Sequence, residues 1–569
     1  IYGDAHVQLP KLDQYVKDVL LIFSSPLSQP LNITVYYAEE DHGYSEEYTS
    51  YVNVEEGSTS AIIALEKYIT TCRIDIGTQQ EEIFELSQII LNEPVLQKVK
   101  LFRPVVLALF FVVVAAVGYG VICLSMRPEK LWFILALSMG MFYLITITPQ
   151  SAPDEPHHYH SSYQLSNALL LKFDEMEYGD SAYFDYSNFA GHRNVSSGYI
   201  RILRDFNETF RPGEVIPIPT PRGLSYFVEY LPQAIGIAIA RITNQNFIRL
   251  FFLGRLCNLL FYSCCLYLAV KRTPIFKTMF GVVGIMPMSI HQAASYSYDG
   301  FVNGMSLVLI ASILKAIYEN DALSKKDFFY IVIVGALLGP AKVVYYPILL
   351  LTAFIPERRF GSRKRKLIGI AIIWGVGILL ITGFQFSALF YTVSGEAQTI
   401  QNYEGGYNYT LSFIFEHLGQ TIRIFWDTFQ LSAIGWLQCA IGLGMSGLTL
   451  VIPEWIINCY IAVIFLSILN LEGSNYVLRP AVRGWLLLIC SAVIVLTMLS
   501  MFLSWTSNFR LTIQGVQGRY FIPIVPLLAL SVNNQTLVLK KDVDKILIMS
   551  ALLLHGFTIA NILRYTLLN

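Results

Sequence analysis

Charge is scarce in this chain: Asp, Glu, Lys and Arg make up 14% of its 569 residues and nearly cancel, leaving a formal net charge of −1. That excludes a strongly basic nucleic-acid binder, so no nucleic-acid partner is expected. Cysteine is sparse as well. The eight cysteines lie mostly inside apolar segments, with Cys72 alone in the polar N-terminal region, and imply neither a disulfide framework nor a zinc site. No clear repeat relates the two halves of the apolar region, which argues against the inverted-repeat architecture of many transporters. What is abundant is apolar surface. Hydrophobic residues make up 54% of the chain, and with a positive mean hydropathy this composition indicates a multi-pass membrane protein whose first partner is the lipid bilayer.

From Phe102 onward, apolar spans fall near 104–125, 131–148, 248–270, 276–291, 297–317, 328–340, 343–356, 367–388, 451–469, 484–504, 519–535 and 543–566. The fold class they predict is an α-helical polytopic membrane protein with about 11–13 membrane helices. Two spans are too short to cross alone. Around Gly339-Pro340-Ala341-Lys342 the sequence reads as half-spans meeting at a break, which a membrane tolerates where the break faces a cavity. Counting every span places Arg127/Lys130, Lys271/Arg272, Lys325/Lys326, Arg363–Lys366 and Lys540/Lys541 on one side. An excess of Lys and Arg marks that side as cytoplasmic, and the plasma membrane is the expected location. The same count puts the N-terminal region and the segments 149–246, 389–450 and 505–518 on the extracytoplasmic face.

Residues 1–98 read as a separate extracytoplasmic unit, and 99–569 as the transmembrane domain with large external loops at 149–246 and 389–450. In the first unit Asn32–Tyr37, Tyr51–Glu55, Ser60–Leu65 and Cys72–Ile76 alternate apolar and polar residues, which predicts a β-sandwich-like domain. Glu81–Leu91 follows as a last strand or short helix. The chain begins at Ile1, so a signal or anchor helix is expected ahead of it.

After the second span comes Pro153-Asp154-Glu155-Pro156-His157-His158-Tyr159-His160. Adjacent carboxylates and histidines at a membrane surface suit proton transfer, a metal or a polar ligand, whereas the plainer alternative is a solvated loop. Tyr159–Phe173 and Tyr230–Thr243 are helix-like, the second amphipathic enough to lie in the interface. Arg255 and Asn258 fall inside a span, where a cation must pair or face water, and Asp299 is the expected partner of Arg255. The hydroxyls and amides of Gln292–Gly304 either bind a sugar or join helices. Lys342 and Arg519, at the bilayer boundary, suit the phosphate of a lipid. Arg519 stands in Gly515-Val516-Gln517-Gly518-Arg519-Tyr520-Phe521-Ile522-Pro523, where Gly515 and Gly518 would let backbone approach a ligand.

Taken together, Pro153–His157, Ser295–Asn303 with Asp299, Gly435-Trp436 and Gly515–Pro523 resemble an uncharacterised family of bacterial multi-pass membrane proteins related to GT-C glycosyltransferases. The resemblance covers roughly residues 100–566. It implies a GT-C-like fold and a sugar donor carried on polyprenyl phosphate. The expected acceptor is a cell-envelope glycan or another extracytoplasmic acceptor, a lipid-linked one included. Asp154 and Glu155 match the catalytic acidic position, as base or as ligands of a divalent cation such as Mg or Mn. His157, His158, Arg255, Asp299, Lys342, Gln517, Arg519 and Tyr520 are the expected substrate-binding residues. The chain departs from the family in its extra His158 and His160 and in its N-terminal domain. A flippase or transporter, or a ligase of lipid-linked glycans, is the alternative function.

Overall fold

The computed structural model describes residues 6–568 apart from 26, 40–41, 55–57, 59, 78–84, 93, 124–125, 185–195, 220–226, 395–405, 447–449, 472–477, 479 and 534–535. The first unit holds β1 (His6–Gln8), β2 (Gln14–Phe23), β3 (Leu31–Ala38), β4 (Thr49–Val54), β5 (Ser60–Ile69), β6 (Thr71–Gly77) and β7 (Leu86–Leu91). They form two antiparallel sheets, ordered β1-β6-β3-β4 and β5-β2-β7. The period-2 pattern explains the packing. Ile33 pairs with Ile76 and Val35 with Ile74, and these side chains share one core with Val19, Leu21 and Ile63 of the other sheet. Glu81–Leu91 resolves into a strand from Leu86, with 81–84 outside the described residues.

The rest is helical: α1 (Pro94–Cys123), α2 (Pro128–Thr146), α3 (Glu155–Leu169), α4 (Ser196–Asp205), α5 (Leu231–Ile242), α6 (Phe247–Arg272), α7 (Lys277–Gly284), α8 (Pro287–Ala293), α9 (Asp299–Tyr318) and α10 (Lys325–Ala341). A 3-10 stretch, Val343–Phe354, precedes α11 (Glu357–Phe360), α12 (Arg363–Ser394), α13 (Leu411–Glu416), α14 (Leu418–Ile441), α15 (Glu454–Ser467) and α16 (Pro480–Ser504). A second 3-10 stretch, Gly518–Ile524, leads to α17 (Val525–Ser531) and α18 (Asp544–Leu568). Between α3 and α5, the short strands β8 (Tyr178–Asp180) and β9 (Val215–Pro217) pair antiparallel. The N-terminal unit meets this region where β5 packs on α4.

Among the described residues, seven helices are long and apolar enough to cross a membrane, fewer than the expected 11–13. The difference lies in breaks that hydropathy does not register. The apolar run 276–291 divides into α7 and α8 at Ile285–Met286, and 519–535 divides into a 3-10 turn and α17. The 343–356 run is the first 3-10 stretch, and α15 and α10 are too short for a full span. At two of these breaks side chains from other helices satisfy exposed carbonyls, as hydrocarbon requires. At the α7–α8 break, Tyr262 donates to Gly284 O at 2.7 Å, while Tyr460 and His555 donate to Ile285 O at 3.0 and 2.5 Å. At the α10 break, Gln385 Nε2 donates to Pro340 O at 2.7 Å.

The segment 389–450 contains α14, which packs against the Gly518–Ile524 turn and α8. Arg423, Asp427 and its glutamines hide it from a hydropathy count, yet Ile422, Trp426, Leu431 and Ile434 stand exposed along it. Tyr159–Phe173 is represented by α3, and Tyr230–Thr243 by α5, which exposes the stripe Leu231, Ile235, Ile239 and Ile242.

Helix α9 is the central element, buried along nearly its whole length from Asp299 to Leu314. Arg272 and Lys315 both pair with Asp327, at 2.7 and 3.1 Å, tying α6, α9 and α10 together at one end. Lys271, Lys325 and Lys326 gather there, whereas Asp299 and Lys342 meet at the opposite end of α9 and α10, about 25 Å away by helix rise.

A candidate active site built on Asp154, Asp299, Lys342 and Arg519

The turn that follows α2 is held from behind. Glu155 is wholly buried and takes a paired hydrogen bond from Arg255, with Nε to Oε1 at 2.8 Å and Nη2 to Oε2 at 2.7 Å. Its oxygens also accept from the backbone N–H of Ala152 at 3.2 Å and of Tyr296 at 3.0 Å. Arg255 spends its other donors on the carbonyls of Ile147 and Thr148, at 2.7 and 3.0 Å. The partner of Arg255 is therefore Glu155, not the expected Asp299. A buried pair so fully hydrogen-bonded fixes geometry, and removing either member would strand a charge. It joins the end of α2, the start of α3 and the turn before α9.

That clamp presents Asp154 on the other side of the turn. Asp154 has φ of +56°, in the left-handed region that Asp tolerates better than most residues. Its side chain is 55% exposed, and Oδ2 lies 3.3 Å from Arg519 Nη2. Arg519, only 5% exposed, also places Nε 3.5 Å from Asp299 Oδ2. Asp299 Oδ1 in turn receives Lys342 Nζ at 3.2 Å. The four groups make one alternating chain, Asp154, Arg519, Asp299, Lys342, that ends on an exposed carboxylate. Arg519 Nη1 is buried and has no hydrogen-bond partner among the described residues, so the chain retains a donor that a ligand can fill.

Aromatic rings surround the cations. Lys342 Nζ lies 4.2 Å from the centroid of Tyr520, 5.1 Å from that of Tyr298 and 5.7 Å from that of Tyr345. Tyr345 donates to Tyr520 O at 2.7 Å, which fastens the two elements. Tyr298 and Tyr345 were not among the expected site residues, although each lies within three residues of a charged one in sequence. Buried His291, close enough to Arg255 and Arg519 to feel their charge, also carries no motif.

The other expected residues divide. His157 is exposed one turn from Asp154. His158 is buried, with Nδ1 2.9 Å from the hydroxyl of Tyr230, and serves packing between α3 and α5. Gln517 and Tyr520 are half-buried beside Arg519. The polar run before α9 acts as helix glue: Asn258 Nδ2 donates to Ser295 O and Ser297 O at 2.8 and 3.2 Å, and Gln233 reaches Tyr296 O. Gly518 admits a protein neighbour instead of a ligand, since a Cβ there would strike Trp436 O and Cys439 of α14. Gly515 is needed for its φ of +78°.

A shared cation on Asp154 and Glu155 fits poorly, because both oxygens of Glu155 already serve Arg255 and two backbone N–H groups. Among the described residues, no group of three or more His, Cys, Asp or Glu side chains is placed to hold a metal ion. Along α3, burial pushes the His160 imidazole down to about 3, with the charge of His157 as the lesser cause.

No curated protein matches the chain. The four residues of the charge chain all fall within a stretch, residues 137–528, that matches the family described as Predicted membrane protein (DUF2142), and the N-terminal sheets precede it. Since that match covers well over half of its length, the chain belongs to this family.

Proposed function

We propose that the protein is a membrane glycosyltransferase that moves a sugar from a polyprenyl-phosphate donor to an extracytoplasmic acceptor, with inversion. The observation that carries this reading is the alternating chain that ends on exposed Asp154. It supplies a proton acceptor and two cations within a few ångströms, at the end of the bundle opposite Lys271 and Lys325. If the basic end is cytoplasmic, the site opens where nucleotide sugars are absent, and an activated sugar must arrive on a lipid.

In the proposed step an acceptor hydroxyl gives its proton to Asp154 as its oxygen attacks the anomeric carbon. The bond from that carbon to the phosphate oxygen breaks, and the lipid phosphate leaves with the electron pair. Arg519 turns its open Nη1 to the phosphate, and Lys342 adds a point charge. Arg519 moving toward the phosphate also frees the Asp154 carboxylate to face the acceptor hydroxyl. The clamp of Glu155 and Arg255 positions the turn and takes no part in proton transfer.

Proteoliposomes holding the full chain and a polyprenyl phosphate bearing a radiolabelled sugar test the reading. Label should pass to a glycan or lipid-linked acceptor with release of free polyprenyl phosphate. Label that crosses the bilayer with its phosphate bond intact would instead identify a flippase.

A further inference from the structure

A cavity of about 900 Å³ lies between Ser181–Phe184, the end of α4, the 207–213 loop and the start of α6. Its wall is fixed by hydrogen bonds between side chains and backbone. Asn246 Nδ2 donates to the carbonyls of Asp205, Phe206 and Glu208 at 2.9, 3.2 and 2.7 Å. Asp180 Oδ1 accepts from the backbone N–H of Ala182 and Gly213 at 2.9 and 2.7 Å. The groups lining the cavity differ in kind. Asn207, Glu208, Thr209 and Arg211 are exposed, and their side chains have no hydrogen-bond or ion-pair partner among the described residues.

Charge and shape narrow the ligand. Arg201 and Arg211 are matched by Asp205 and Glu208, so the cavity has no excess of positive charge to draw a polyanion. It offers amide, hydroxyl, carboxylate and guanidinium groups beside the rings of Phe184, Phe210 and Phe247. Phe210 is itself held by stacking on Tyr183, with centroids 4.7 Å apart. Neutral polyhydroxylated molecules use this combination, because each hydroxyl both donates and accepts while C–H faces rest on rings. We propose that this cavity is a saccharide-binding subsite, distinct from the Asp154 cluster.

The subsite lies along α3 from the charge chain. The ring of Phe184 is 5.7 Å from that of His160, and His160 is about 9 Å along the helix from Asp154. Its use as an acceptor subsite rests on the proposed transfer, whereas saccharide binding itself does not. On the far face of α4, an apolar groove of about 570 Å³ is lined by Met141, Ile202, Leu203, Phe206, Leu253 and Leu256. A saccharide in the cavity therefore arrives either free or with a hydrocarbon chain for that groove.

The full chain in lipid nanodiscs, probed by hydrogen–deuterium exchange with maltotetraose, cellotetraose, chitotetraose and dodecyl β-maltoside, tests the assignment. At least one probe should slow exchange over 205–213 by about threefold or more. The Asn207→Ala/Arg211→Ala variant, altered only at exposed positions, should need about tenfold more of that probe. Tighter action of the alkyl glycoside than of maltotetraose assigns a lipid-linked saccharide, and equal action a free one. Absence of protection by all four probes, or protection unchanged in the double variant, overturns the subsite. Asp154→Asn should keep the protection while losing transfer, so failure of the subsite and failure of the transfer reading are distinguishable.

Discussion

Arg519 Nη2 lies 3.3 Å from Asp154 Oδ2 although 365 residues separate them. The same guanidinium reaches Asp299, which holds Lys342. Arg519 is thus the link between exposed Asp154 and the Asp299–Lys342 ion pair, and it works through its planar fork. Arg519→Lys keeps the charge but cannot serve both carboxylates at once. We expect kcat/KM for the lipid donor to fall roughly ten- to a hundredfold, the equivalent of about 1.4–2.7 kcal/mol, in a transfer assay. Unchanged kinetics would remove Arg519 from phosphate stabilisation.

Glu155 should matter for stability, not chemistry. Glu155→Gln leaves the Arg255 guanidinium buried beside a neutral amide, at a cost of about 3–5 kcal/mol. Replacing both, as Glu155→Leu with Arg255→Met, should recover much of that loss in thermal unfolding of the detergent-solubilised protein. A Glu155→Gln protein that melts like the parent yet transfers no sugar would instead place Glu155 in the reaction.

His160 predicts a pH dependence. Its folded value of about 3 lies below its ordinary 6.5, so between the two the unfolded chain binds a proton that the folded chain does not. Stability contributed by neutral His160 is complete above pH 6.5 and declines as the pH falls toward 3. His160→Gln should flatten that part of the stability curve, measured by unfolding at successive pH values. An identical slope in the variant would assign the acid sensitivity to other groups.

Gly518→Ala places a methyl group against Trp436 O and Cys439. Backbone cannot yield as a flexible side chain would, so we expect a loss of about 1–3 kcal/mol in thermal unfolding. Gly435→Ala, on α14 beside Trp436 and with nothing near its Cβ position, should be close to neutral. Equal effects of the two would contradict the close approach of α14 to the 3-10 turn.

Much of the fold was legible because its signals are local. Period-2 alternation gave the strands that pair Ile33 with Ile76, and long apolar runs gave α1, α2, α6, α9, α12, α16 and α18. The break at Lys342 was readable from Pro340, but the break at Ile285–Met286 was not, since its carbonyls are satisfied by Tyr262, Tyr460 and His555 from other helices. The same limit applied to the site. Asp154, Asp299, Lys342 and Arg519 were each recognisable as charges at membrane boundaries, and the structure brings them together. Which cation serves which acid depends on how α6 and the 3-10 turn face α3 and α9, so Arg255 was matched to Asp299 when it belongs to Glu155. Two adjacent carboxylates in sequence point to opposite sides of one turn, a consequence of the left-handed backbone at Asp154 that residue types do not encode.

The most direct test is sugar transfer by Asp154→Asn in proteoliposomes, compared with the parent at matched folding and matched binding of the polyprenyl-phosphate sugar. Because the side chain is exposed, the variant should fold and bind lipid normally while the transfer rate drops by about a hundredfold or more. Transfer at the parental rate would contradict Asp154 as the base.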